Sequence, residues 1–184
     1  MSALVTTKEV ITQQGVVIFR RPMPDDSSKL LSLRREALIN HPEYFGASEA
    51  QSEEKFAEWV GNLIDPNRTD LLPIVIDAQG DLVGMGVIRI LSGPKVNHSA
   101  TINAIYIQPN WRGYGLLLQM LTMFDMWATF KKLHHIKLQV VTTNQSAIRS
   151  YQNAGYHIYA TDPYVLFVAG KYYDEYLMIK ELKY

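Results

Sequence analysis

One stretch of the chain gathers groups that suit an anion. Gln108-Pro109-Asn110-Trp111-Arg112-Gly113-Tyr114-Gly115 reads as a turn, and from Tyr114 onward Leu117, Leu121, Phe124 and Ala128 recur three or four residues apart, with Leu116, Met120 and Trp127 widening the stripe. That spacing predicts a buried helix beginning near Tyr114. The N–H groups from Gly113 to about Leu117 then lack intrahelical acceptors and point outward together, forming a cradle for a phosphate-like anion. Gly113 and Gly115 put no side chain between the anion and the backbone, and Arg112 adds a permanent charge with several donors. Two glycines at a helix start serve equally well as turn chemistry and close packing, so this stretch alone leaves both uses open. It lacks the Gly-Lys-Ser/Thr ending of a P-loop and the third glycine of a dinucleotide fingerprint.

Composition narrows the chemistry further. The 184 residues fit one domain, 1–184, with a sizeable core. Lys plus Arg and Asp plus Glu both number 18, with a pI near 7.0, which argues against a nucleic-acid stripe or an anionic-membrane patch. The absence of cysteine excludes disulfides, thiolate catalysis and cysteine-ligated metal. His41, His98, His134, His135 and His157 show no metal-ligand spacing, so no metal is expected. No apolar run approaches the ~20 residues that span a bilayer, and Met1 to Gly15 is polar and mixed, unlike a signal peptide; the expectation is a cytoplasmic protein with no membrane partner.

The elements that must position the turn follow from periodicity. Val16 to Arg20 reads as a first strand, ended by Pro22 and Pro24. A helix follows, with Asp25, Asp26 and Ser27 as N-cap candidates and Leu30, Leu33 or Arg34, Ala37 and Leu38 on its apolar face. Pro42 to Gly46 is a connector, and Ser52 to Ile64 a second helix with Phe56, Trp59, Val60 and Leu63 on one face. Leu71 to Ile76 and Leu82 to Leu91 form a hairpin around Asp77 to Asp81, and Ala100 to Ile107 is the third strand of that meander. His135 to Val141 is another strand, Asn144 to Gly155 a short helix, and His157 to Val168 and Tyr172 to Ile179 a closing pair around Ala169-Gly170-Lys171. The order predicts an α/β chain with a mixed sheet, helices on its faces and a right-handed β-α-β crossover. The strand edges after Lys171 are open to a homodimer.

Two segments then carry a family pattern. Ile105-Tyr106-Ile107-Gln108-Pro109-Asn110-Trp111-Arg112-Gly113-Tyr114-Gly115 resembles the strand, proline turn and Arg-Gly-x-Gly loop of GNAT-family N-acetyltransferases. Asn144-Gln145-Ser146-Ala147-Ile148-Arg149-Ser150-Tyr151, followed by Gly155-Tyr156, resembles the second signature of that family. The resemblance implies a mostly antiparallel sheet whose central parallel pair splays, here Ala100 to Ile107 and His135 to Val141, with acetyl-coenzyme A in the gap. By that resemblance Ile105 and Ile107 hold the thioester and pantetheine arm through their backbone. The amides of Gly113, Tyr114, Gly115, Leu116 and Leu117 hold the pyrophosphate with Arg112 beside them, and Asn144 bonds the pantetheine.

The implied reaction is transfer of an acetyl group to a primary amine of a small molecule or peptide. A departing thiolate benefits from a proton, and Tyr151 is the candidate acid; as a residue four positions after Ala147 it also reads as a core tyrosine. Leu117 departs from the small residue usual at its place in the family. Ser99 to Ile107 also lacks the strand carboxylate of many members, so deprotonation falls to a water chain, to Tyr106, or to Glu43. The acceptor site is expected around Glu43, Tyr44 and Phe45 and around Tyr172 to Glu175, where a charge and an aromatic wall suit an amine; a packed connector explains Tyr44 and Phe45 equally well. The alternative reading is a catalytically weak acyl-coenzyme A sensor or protein-interaction module of the same fold.

Overall fold

The β-branched and leucine-rich runs become the strands of one mixed sheet. The structure, a computed structural model, describes residues 7–48 and 50–183. Its strands are β1 (Lys8–Thr12), β2 (Gly15–Arg20), β3 (Leu71–Ala78), β4 (Asp81–Ile90), β5 (Ser99–Ile107), β6 (His135–Val141), β7 (His157–Val168) and β8 (Lys171–Glu181). They lie in the order β1-β2-β3-β4-β5-β6-β8-β7. Every neighbouring pair is antiparallel except β5 and β6. The helices are α1 (Ser27–Asn40), α2 (Glu53–Ile64), α3 (Leu116–Phe130) and α4 (Gln145–Asn153).

Helices cover both faces, and each face has its own core. On one side Leu30, Leu33 and Ala37 of α1 and Val60 and Leu63 of α2 pack on Leu71, Val75, Met85, Val87 and Tyr106. On the other, Met120, Leu121, Phe124 and Trp127 of α3 and Ile148 and Tyr151 of α4 pack on Ile74, Ile76, Ile88, Ile102 and Leu138. The α1 face and the α3 stripe are those the spacing predicts. Ser52 caps α2 by accepting from the Lys55 amide at 3.4 Å.

Three boundaries differ from the sequence reading. Strand β1 lies inside the stretch expected to be merely polar: Lys8, Val10 and Thr12 are half-buried and alternate with exposed Glu9 and Ile11, a weak pattern that only pairing with β2 turns into a strand. Helix α3 begins at Leu116 rather than Tyr114, because Gly113 and Gly115 both take left-handed backbone, φ 85° and 72°. Asp25 and Asp26 lie in a single 3-10 turn, Pro24–Asp26, before α1. There Asp26 serves as an ion-pair partner: Arg20 Nη1 donates to it at 2.6 Å and Arg20 Nη2 donates to Asp77 at 2.7 Å, with all three side chains at least 85% buried.

Two close approaches fix how helices meet the sheet. A Cβ on Gly86 of β4 would lie 2.5 Å from Met120 Sδ and 3.2 Å from Ile105 Cγ1, so the missing side chain lets α3 sit directly over the middle of the sheet. Gly86→Ala is expected to lower stability by roughly 1–3 kcal/mol through overpacking, measurable as a shifted denaturant midpoint with unchanged slope. The Arg20 contact, more than any other, holds the Asp26 carboxyl below its ordinary range. Because the folded value is the depressed one, that stabilisation is full above the unfolded pKa near 3.8 and is lost as pH falls through the folded value. Asp26→Asn should therefore flatten the acid limb of a stability-versus-pH curve as well as lowering its plateau.

Candidate active site

The parallel pair comes apart halfway along. Pairing of β5 with β6 runs only from Ser99 opposite His135 to Ile102 opposite Leu138. Beyond it β5 stays with β4 as far as Ile107, while β6 stays with β8 as far as Val141. A gap opens between residues 103–107 and 139–141. Its cause lies in β5: Met85 pairs with Tyr106 and Val87 with Asn103, so Ala104 and Ile105 both stand opposite Gly86, and Ala104 takes φ 54°. This is a β-bulge, which bends its strand and ends regular pairing. At the closed end, the Ser99 hydroxyl and His135 Nε2 lie 2.7 Å apart, with Ser99 buried.

The turn after β5 supplies the anion cradle. Pro109–Trp111 make one 3-10 turn, and the first amide satisfied inside α3 is that of Gln119, bonded to the Gly115 carbonyl at 3.1 Å. Among the described residues, the N–H groups from Gly113 to Leu118 have no hydrogen-bond acceptor. Nothing lies within 4 Å of where a Cβ would stand on Gly113 or Gly115, so the backbone is open on that side. Leu116 is buried and Leu117 packs against the core. The departure at Leu117 thus turns inward and leaves its amide available.

The loop is braced from the far edge of the sheet. Gln14 Nε2, in the β1–β2 turn, donates to the Asn110 carbonyl at 2.5 Å and to the Tyr114 hydroxyl at 3.2 Å, and the Lys8 ammonium donates to Gln119 in α3. Arg112, at the start of the loop, is exposed. Its Nε donates to the Ile107 carbonyl at 2.8 Å, its Nη2 lies 3.2 Å from His41 Nε2, and its guanidinium sits 5.7 Å from the Tyr106 ring centre. In this position it ties the end of β5 to the chain following α1.

The remaining expected residues fall on two sides of the gap. Asn144 caps α4, its Oδ1 accepting from the Ala147 amide and the Ser146 hydroxyl, both at 3.2 Å. Tyr151 is buried in the core that Ile105 and Ile107 also touch, with its ring edge-on to Tyr156 at 6.1 Å. Burial pushes its phenol well above the usual tyrosine value. On the opposite face, Tyr44 stacks on His41 at 5.1 Å, and His41 lies 6.2 Å from Tyr106. Phe45 packs instead under Arg34, whose guanidinium lies 5.2 Å from both Phe45 and Trp59. Glu43 is half-buried and makes no hydrogen bond or ion pair among the described residues.

One carboxylate in this cluster escaped the sequence reading. Glu36 of α1 accepts from the Tyr106 hydroxyl at 2.9 Å and from Gln108 Nε2 at 2.8 Å. Burial is the first cause, and Glu36 the second, that raises the Tyr106 phenol above its ordinary range; this disfavours Tyr106 as a base. The available signal was the position of Glu36 beside the apolar stripe, between Leu33 and Ala37. Its link to β5 is tertiary.

The match to family models agrees with this geometry. Residues 31–156 match the acetyltransferase (GNAT) family, and the chain belongs to that family. No curated protein matches the sequence. Solved structures show the same fold. The acetyltransferase of GNAT family from Streptococcus pneumoniae is 21% identical, with TM-score 0.77 over 91% of this chain and 99% of that one. The yncA putative acetyltransferase from Salmonella typhimurium, solved with its cofactor acetyl-CoA, is 16% identical, with TM-score 0.79 over 91% and 95% of the two chains. Spermidine N-acetyltransferase from Vibrio cholerae, in complex with CoA and spermine, is 22% identical, with TM-score 0.73 over 90% and 95%. Among the described residues, no helix is long and apolar enough to cross a membrane.

The left-handed backbone at Gly115 makes it the sharpest test of the cradle. Gly115→Val adds strain of roughly 1–3 kcal/mol at this φ and places methyl groups over the open amides. Its affinity for coenzyme A should fall by about tenfold or more, since each tenfold corresponds to about 1.4 kcal/mol. Calorimetry reads this, with thermal melting as the control for folding.

Proposed function

We propose that the protein is an acetyl-CoA-dependent N-acetyltransferase acting on a primary amine of a small molecule or peptide. The observation that carries this is the conjunction of the β5–β6 gap with the row of acceptor-free amides from Gly113 to Leu118 at its mouth. The cradle fits a pyrophosphate, because both glycines leave their outer side open. In this reading the edge of β5 at Ile105 and Ile107 lies along the pantetheine arm and thioester. The amides of Gly113, Tyr114, Gly115, Leu116 and Leu117 bind phosphate oxygens, and Asn144 hydrogen-bonds the arm. Arg112 adds its charge beside the phosphates and holds the end of β5 through the Ile107 carbonyl. On the acceptor side, Tyr106, Tyr44 and Glu43 form the wall that meets the amine, with Phe45 behind it.

Bound acetyl-CoA supplies an acetyl thioester, whose carbonyl carbon a neutral amine attacks and whose thiol departs. Tyr151 is suited to one task in that exchange. Burial keeps its phenol protonated across the working pH range, so it enters the exchange as a donor, from an O–H that burial makes a weaker acid, and regains its proton afterwards. The strand after Lys171, β8, lies between β6 and β7 and is no edge of the sheet; a cytoplasmic setting and a homodimer paired along the outer strand β7, where Tyr159, Tyr164 and Phe167 stand open, are compatible with the same reading.

Because the chain has no cysteine, a thiol reagent reads only the coenzyme A released. Incubation with acetyl-CoA and a panel of primary amines should give amine-dependent thiol release; bound donor without turnover on any amine would favour a sensor role. Tyr151→Phe should lower turnover by roughly 10²-fold or more, the usual range for a general acid, while leaving acetyl-CoA affinity near that of the parent. Unchanged turnover would remove Tyr151 from the chemistry.

A further inference from the structure

Helix α4 carries Tyr151 and has little of its own to keep it in place. It is nine residues long, and of these Ile148 and Tyr151 are the buried ones. A helix of that length is unstable in isolation, so its ends must be tied by other groups. Asn144 does this at the start, accepting from the Ala147 amide. At the far end the tie is Lys180 of β8, whose ammonium donates to the Ala154 carbonyl at 2.6 Å. A cation there also suits the negative end of the helix dipole.

The same ammonium reaches a third element. It donates to Asp125 Oδ2 of α3 at 2.6 Å, and both side chains are more than three-quarters buried. Asp125 Oδ1 is buried and has no hydrogen-bond partner among the described residues, so Lys180 alone satisfies this carboxylate. Sheet, α3 and the end of α4 are thus joined at one nitrogen.

That nitrogen stands over the corner that closes on Tyr151. Gly155 takes φ 92°, and a Cβ on it would lie 3.4 Å from Lys180 Cε. The left-handed turn brings the amides of Ala154 and Tyr156 back to the Tyr151 carbonyl, each at 3.0 Å. The Tyr156 ring lies 5.8 Å from the Lys180 ammonium and meets the Tyr151 ring edge-on at 6.1 Å. Backbone and ring of Tyr151 are therefore both set by residues that Lys180 holds.

We propose that Lys180, paired with Asp125, is a positioning residue for Tyr151: it fixes the end of α4 so that the phenol keeps its place at the β5–β6 gap. The inference rests on the acetyltransferase reading, with Tyr151 as its proton donor. Neither Lys180 nor Asp125 touches the substrate, and no proton passes through them. Misplacing a reacting group by 1 Å costs about 10²-fold in rate, so the effect falls on turnover. Cofactor affinity is spared, because Gln14 and Arg112 brace the phosphate loop and the end of β5 independently.

The test is a double-mutant cycle of Lys180→Met and Tyr151→Phe, read as amine-dependent thiol release. Alone, Lys180→Met should lower kcat roughly 10- to 100-fold, with acetyl-CoA affinity near that of the parent. Lys180→Arg, which keeps the charge and the donors, should recover part of the loss. In the Tyr151→Phe background the same Lys180→Met change should cost little more, because the phenol it positions is already gone. If Lys180→Met folds poorly, the combination with Asp125→Leu, which leaves no unpaired charge, takes its place in the cycle. Equal losses of kcat in both backgrounds mark a merely supporting contact and overturn the proposal, as does an unchanged kcat in Lys180→Met. Unchanged turnover in Tyr151→Phe also overturns it and leaves the acetyltransferase reading standing. Failure of the parent to bind acetyl-CoA overturns both.

Discussion

The bulge in β5 is the constraint on which the site depends. Two residues, Ala104 and Ile105, stand opposite the single residue Gly86, and the resulting bend ends the ladder between β5 and β6 after Ile102. Without it the parallel pair would close and no unpaired strand edge would face the centre of the sheet. Gly86 is part of the same device, since a Cβ there would lie 2.5 Å from Met120 Sδ and press on Ile105. A left-handed φ at a non-glycine residue such as Ala104 is costly; pairing on both flanks of the bulge and the α3 core against Gly86 hold it in place.

The bend also divides labour between the two faces. Tyr151 belongs to the α3–α4 core, where burial raises its phenol above the ordinary range. Tyr106 belongs to the α1–α2 core, where it meets a carboxylate. The two sides of the sheet thus hold their tyrosines in different surroundings, a buried phenol on one and a phenol hydrogen-bonded to Glu36 on the other. Supports for this arrangement come from far along the chain: Gln14 of the first hairpin steadies the loop at Asn110 and Tyr114, and Arg112 pins the end of β5 towards His41.

What was legible in the sequence is what local rules control. The leucine spacing after Gly115 gives α3, the glycines and proline give the turn, and the two signatures give the family, the parallel pair and its gap. Strand β1 was hidden because a five-residue edge strand with weak alternation is decided by its partner. Glu36 was hidden for a related reason: nothing near it in the chain reports that Tyr106 and Gln108, some seventy residues later, will fold over it. Arg112 shows the same from the other side: its place in the motif suggests a phosphate contact, and its bonds to the Ile107 carbonyl and towards His41 depend on where the fold brings α1.

The central claim is that the gap and the amide row together form a seat for acetyl-CoA. Calorimetric titration of the protein with acetyl-CoA, alongside coenzyme A and ATP, tests it most directly. The account predicts micromolar binding of both coenzyme A ligands and much weaker binding of ATP, because the pantetheine arm needs the open edge of β5 in addition to the phosphate cradle. Equal affinity for all three would reduce the site to a phosphate cradle, and no binding at millimolar ligand would contradict the claim altogether.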